Sequence, residues 1–224
     1  GAGAARSTER RESAWFASVR MSSQDIDAAT RELLQRYGFE DIPFESLKKR
    51  LVEGRAGPDQ NRIRGTVEPP DEGDLRALPP LGGDVRRALA ERGEAAIQRG
   101  EVAAVILAGG MATRFGGVVK AAVEVAEGMS FLEMKLKDIQ AVAERADATI
   151  PVYLMTSFAT HEAIEKMAAP LSTERCPIVS FPQFISLRVT PEGELFRDAG
   201  GKLSPHAPGH GNLSFPLRRS RILA

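Results

Sequence analysis

The chain has 224 residues, 42% of them hydrophobic, and its 30 basic and 30 acidic side chains cancel to a formal net charge of zero. That length allows one sizeable core with an appendage, and the balanced charge excludes a general field for nucleic acid or an anionic membrane, so neither is expected as a partner and any anion must be caught by local groups. A single cysteine, Cys176, excludes an internal disulfide and the multi-cysteine zinc patterns, no apolar run approaches the ~20 residues of a bilayer span, and no secretory signal opens the chain, so a cytoplasmic protein is expected.

Residues 1–20 have no consistent period and precede Met21, which predicts a disordered extension. Residues 21–100 predict a helical appendage. Ile26, Leu33, Leu34 and Tyr37 fall on one side of a 3.6-residue repeat, so a helix is expected from Ser23, with Ser22, Ser23 and Asp25 as candidate caps. A second helix is expected from Phe44 to Val52, begun by Pro43 and stopped by Gly54. Residues 55–83 are dense in glycine, proline and charge and read as a linker. A third helix, Val85 to Gln98, has Asp84 as its expected cap, a narrow apolar face of Val85, Leu89, Ala96 and Ile97, and Gly100 as its stop.

The main region is expected over residues 101–224. "VAAVILA", from Val102, is an unbroken apolar run, the pattern of a strand covered on both faces in a parallel sheet. "FLEMKLKDIQAVAERAD" sets Phe131, Leu132, Leu136, Ile139 and Val142 at helical spacing; "IPVYLMTS" is a second strand, "HEAIEKMAAP" a second helix and "PIVSF" a third strand. Strand and helix alternate, which predicts a Rossmann-like α/β fold with a mostly parallel sheet. "ISLRVTPEGELFRD" alternates and turns at Pro191, Glu192 and Gly193, as a hairpin laid over that sheet would.

In such sheets ligands sit at the carboxyl ends of strands, so the loop "GGMATRFGGVVK" after the first strand is the candidate site. Gly109 and Gly110 let a ligand lie against the backbone, whose N–H groups can cradle phosphate oxygens. Arg114 offers a planar fork and Lys120 a mobile point charge, which together suit a triphosphate. The spacing fits neither the P-loop nor the GxGxxG dinucleotide fingerprint. His161 reads as a surface or capping residue and His206 as a loop residue or phosphate contact; the three scattered histidines make no metal cluster.

"LAGGMATRFGG…K" resembles the signature of sugar-1-phosphate nucleotidyltransferases. "LMTSFAT", "FPQ" and "APGHGN", in that order, narrow the likeness to the UDP-sugar pyrophosphorylase family, especially its bacterial UTP–glucose-1-phosphate uridylyltransferase-like members, over about residues 102–213. The resemblance implies a nucleotidyltransferase (glycosyltransferase-A-like) fold. It also implies transfer of a uridylyl group from UTP to a sugar 1-phosphate, giving a UDP-sugar, UDP-glucose first, and pyrophosphate. N-acetylhexosamine 1-phosphate is the alternative substrate, and a catalytically inactive nucleotide-binding or interaction module the alternative function. By the same resemblance, the backbone of Ala108, Gly109 and Gly110 lies against uracil and ribose, Arg114 and Lys120 bind the triphosphate, Gln183 reads the uracil edge, Gly209 admits the base, and His210 faces the sugar phosphate. Thr156 and Ser157 are expected as strand-end support. Mg2+ is implied as a cofactor, but its family aspartate lies in a part that this chain does not contain, so no metal ligand is assigned and residues 101–224 are expected to be incomplete at their C-terminus. Two departures stand out: Ala112 where the signature has glycine, and Asn212 where the closest members have aspartate.

Overall fold

The apolar runs form strands and the 3.6-residue stripes form helices in a computed structural model that describes residues 26–39, 41–57, 60, 62–112 and 117–222. Residues 1–20, the caps proposed at Ser22, Ser23 and Asp25, and Arg114 lie outside the described residues. Helix α1 spans Ala28–Tyr37, α2 Asp41–Val52 and α3 Asp84–Gln98. Strand β1 (Ala104–Leu107) leads to α4 (Phe131–Arg145), β2 (Val152–Thr156), α5 (His161–Ala168), β3 (Ile178–Pro182) and α6 (Ser214–Arg219). No helix among the described residues is long and apolar enough to cross a membrane.

The chain divides into two compact units, one of residues 63–183 with 210–224, the other of residues 1–62 with 184–209. The first contains a parallel three-stranded sheet in the order β1-β2-β3, with Ala104 opposite Val152 and Thr156 opposite Pro182. Alternate side chains leave opposite faces. Val152 and Leu154 enter a core with Leu132, Leu136, Ala143, Ile164, Ala168 and Cys176, while Met155 and Phe181 meet Leu217 on the other side. Helix α4 begins with a reciprocal cap: Ser130 Oγ accepts from Glu133 N (3.2 Å) and the Glu133 carboxylate accepts from Ser130 N (2.7 Å). Burial raises the Cys176 thiol above its ordinary pKa, in keeping with a residue that fills space.

Strand β1 departs from the expected double coverage, since Val105 and Leu107 are 41% and 44% exposed. The strand is an edge of the sheet, and α6, six residues and so about 9 Å long, lies against β3 rather than β1. Asp84 likewise does not cap α3. Gly83 takes the cap position without a side-chain bond, and Asp84 becomes the first helical residue, paired with Arg87. Its carboxylate still favours the positive end of the helix. Gly100, at φ 71°, ends α3 as expected. Val85 and Leu89 are exposed; Ile97, at the far end of the stripe, packs on the core. Phe131, the first residue of the helical stripe, is 43% exposed.

In the second unit Asp27 caps α1, its carboxylate accepting from Thr30 N (2.9 Å) and Thr30 Oγ1 (2.7 Å), and these bonds hold its pKa below the usual value. Helix α2 starts at Asp41, which puts Pro43 in the first turn, where a missing N–H costs nothing. The stretch "ISLRVTPEGELFRD" clusters with these helices in one unit. Ile185 N donates to Gly38 O (3.1 Å), and a Cβ on Gly193, at φ 84°, would meet Val52 Cγ2 at 2.9 Å. The turn itself forms, with Gly193 N donating to Thr190 O (2.9 Å) and Phe196 N to Arg188 O (2.9 Å).

Candidate functional site

The site is built where β1 ends. Ala108 is buried and pinned twice: its N–H donates to Met155 O (2.7 Å), and its carbonyl accepts from Thr160 Oγ1 (3.1 Å). The chain then enters Gly109 and Gly110. A Cβ on Gly109 would lie 2.4 Å from Gln183 Nε2 and 3.3 Å from Thr156 C and Ser157 N. Glycine is needed here for close approach: its φ is not among the left-handed values. Gln183 is 2% exposed, donates its N–H to Thr156 O (2.9 Å), and has no hydrogen-bond partner for Oε1. A buried acceptor left unmatched is costly until a donor reaches it.

The second glycine has room around it. The nearest atom to a Cβ on Gly110 is Lys120 Cδ at 4.0 Å, and Lys120 N donates to Gly110 O (3.1 Å). A short antiparallel ladder, Met111 to Val119 and Ala112 to Val118, turns the chain back and sets the Lys120 stem over the glycine. Ala112 sits in that ladder with extended backbone, so an alanine there bears no left-handed strain. Ala108, Gly110, Lys120, Phe131, Lys135 and His210 line a cavity of about 430 Å³. Lys120, Lys135 and His210 can supply positive charge or N–H donors, and among the described residues no carboxylate lines it.

Of the residues singled out in the sequence, Ala108, Gly110, Lys120 and His210 share this cavity and Gln183 touches Gly109. Gly209 belongs to the other unit, at φ 109°, a conformation open to glycine. Thr156 and Ser157 do support the strand end. Both are buried, with Thr160 Oγ1 accepting from Ser157 N (3.0 Å). His161 is not a surface cap: its side chain is 14% exposed, and Nδ1 lies 2.8 Å from Thr156 Oγ1. His206 sits in a two-residue ladder against Ser186, and burial, helped by the Arg188 charge, holds its pKa below the usual value. Asn212 Oδ1 is buried without a partner.

Sequence reasoning missed Lys135 and Phe131 as lining residues. Their four-residue spacing puts them on one face of α4; in the sequence Phe131 stood out only as part of the helical stripe, and nothing marked Lys135.

The family model described as UTP–glucose-1-phosphate uridylyltransferase matches residues 43–224. The chain belongs to this family. Similar members of the UTP–glucose-1-phosphate uridylyltransferase family include those of Hordeum vulgare, 29% identical over 189 residues (81% of this chain and 38% of the relative), and Musa acuminata, 27% identical over 199 residues (85% and 40%). The Saccharomyces cerevisiae member is 32% identical over 117 residues (50% and 23%). These relatives are eukaryotic, which corrects the emphasis on bacterial members. This chain spans only about two fifths of the Hordeum vulgare and Musa acuminata relatives. A solved structure described as a UDP-N-acetylglucosamine pyrophosphorylase of Entamoeba histolytica superposes with a TM-score of 0.55 at 25% identity, covering 62% of this chain and 38% of that one. The α/β architecture with its parallel sheet is thus that of a nucleotidyltransferase.

Proposed function

We propose that the turn after β1 binds UTP, and that the protein transfers its uridylyl group to a sugar 1-phosphate, glucose 1-phosphate foremost, giving UDP-glucose and pyrophosphate. The observation that carries the reading is Gln183, whose buried amide lies on Gly109 with Oε1 unmatched. A uracil edge presents an N3–H donor beside a carbonyl acceptor, which an amide answers with Oε1 and Nε2. Cytosine has an acceptor at N3 and would face Oε1 with a lone pair. The family description supports glucose 1-phosphate as the acceptor.

In the reaction an oxygen of the sugar phosphate attacks the α-phosphorus of UTP, a new P–O bond forms, and the bond to the β-phosphate breaks to release pyrophosphate. Lys120 brings its ammonium to the phosphates from above Gly110, and His210, across the cavity, offers an N–H to the incoming phosphate. Arg114 adds its guanidinium to the triphosphate. No side chain acts as a nucleophile, because the attacking oxygen belongs to the substrate.

Magnesium is the ion such chemistry uses to offset phosphate charge. The residues of this cavity do not fit it: cations and an imidazole line the space, and the described residues contain no cluster of three or more His, Cys, Asp or Glu able to hold a metal. No step here is routed through the ion.

Isothermal titration with UTP, CTP and ATP tests the base assignment. UTP should bind most tightly, and Gln183→Ala should remove that preference. Equal affinity for the three nucleotides would overturn it. Pyrophosphate release with glucose 1-phosphate against N-acetylglucosamine 1-phosphate tests the acceptor, and a preference for the second would overturn the choice of glucose.

A further inference from the structure

We infer that His161 is a positioning residue for base recognition, acting through Thr156 on the seat that holds the Gln183 amide. The inference rests on the assignment of Gln183 to the uracil edge.

Thr156 touches both walls of that seat. Its carbonyl oxygen accepts from Gln183 N at 2.9 Å, and its carbonyl carbon lies 3.3 Å from where a Cβ on Gly109 would stand. It is also the last residue of β2, opposite Pro182 at the last register position shared with β3. Beyond Gln183 N no further ladder bond joins the two strands, so the seat lies where backbone pairing runs out. Side-chain bonds take over at that point. The Thr156 hydroxyl, fully buried, reaches Phe181 O at 3.2 Å and His161 Nδ1 at 2.8 Å.

His161 opens α5, and an opening residue left to solvent would serve as well with any polar side chain. Instead the ring turns back onto the strand, with 14% of the side chain exposed, Nδ1 on the hydroxyl, and Nε2 3.6 Å from the Glu165 carboxylate. The Thr156 hydroxyl thus holds the ring at Nδ1, and the Glu165 carboxylate stands near Nε2. A hydroxyl with two partners cannot rotate, and a β-branched residue with its χ1 fixed transmits that restraint to its backbone. The tie from α5 therefore stiffens the residue on which both the glycine wall and the glutamine wall rest.

The test compares UTP and CTP affinities by isothermal titration, with thermal melts of each variant. His161→Ala should weaken UTP about three- to tenfold, the loss of one positioning hydrogen bond, and leave CTP unchanged, so that the UTP-to-CTP ratio falls by the same factor. His161→Asn, whose amide can reach the Nδ1 position, should restore most of the ratio. Thr156→Val should lower the ratio alike, and adding His161→Ala to it should do no more. Should His161→Ala fail to fold, Thr156→Val and His161→Asn carry the comparison. An unchanged ratio in a His161→Ala protein that melts like the parent would overturn the inference, as would equal loss of both nucleotides. A parent with no uridine preference would instead remove the Gln183 assignment, and this inference with it.

Discussion

Gly109→Ala isolates the tightest contact of the site. The added Cβ would stand 2.4 Å from Gln183 Nε2 and 3.3 Å from two backbone atoms, Thr156 C and Ser157 N. The backbone atoms belong to a buried strand end and give little, so the amide must retreat by roughly 1 Å to regain ordinary van der Waals contact. Gln183 is 2% exposed, and the retreat meets packed neighbours. Overpacking of this kind costs about 1–3 kcal/mol, which in a protein of this size is a fall in Tm of about 2–12 °C. An amide displaced that far also loses its line to the uracil edge. Two neutral hydrogen bonds at about 0.5–1.5 kcal/mol each correspond to UTP binding weaker by roughly 5- to 150-fold. Gly110→Ala is the control, because its Cβ would meet only the flexible Lys120 stem at 4.0 Å. Circular-dichroism melts and titration with UTP read both effects. A Gly109→Ala protein with parental Tm and UTP affinity would refute the reasoning, and so would a Gly110→Ala protein that loses more stability than Gly109→Ala.

Lys120→Ala should leave the melt within about 0.5 kcal/mol of the parent while weakening UTP tenfold or more and sparing uridine, since a charge-assisted contact contributes about 1.5–3 kcal/mol; unchanged UTP affinity would return Lys120 to solvent. Gln183→Leu should melt at or above the parental temperature, because the unmatched Oε1 costs about 1–3 kcal/mol when buried, yet lose the preference for UTP over CTP; a sharply lower Tm would mark the amide as structural. His206 carries a pH signature. Its folded pKa is depressed, by burial and then by the Arg188 charge, below the ordinary histidine value of about 6.5, so below that pH the unfolded chain binds the proton more readily and stability falls as pH falls. Melts between pH 7 and pH 5 should show that decline, and His206→Gln should make it shallower; an identical slope in the variant would refute the burial argument.

Much of this protein was legible in the order of its residues. Apolar runs of strand length around Val105, Leu154 and Val179, alternating with the 3.6-residue stripes of α4 and α5, determine a parallel α/β sheet, because crossover helices between successive strands leave few other topologies. The paired glycines and Lys120 were legible as a turn, since a glycine pair after a buried strand has few other uses. Tertiary structure decided the rest. Gln183 meets Gly109 only because β2 lies between β1 and β3 and brings two distant strand ends together, a neighbour relation that no local pattern encodes. His161 looked like a helix cap by position and became a half-buried partner of Thr156, because the fate of a polar ring depends on which strand end stands within reach. Val105 reads as core and is exposed, since an unbroken apolar run says how much a strand can bury and not whether a helix lies over it. The grouping of the stretch from Ile185 with α1 and α2 was not legible either, because alternation reports that a strand has two faces and is silent on what covers them.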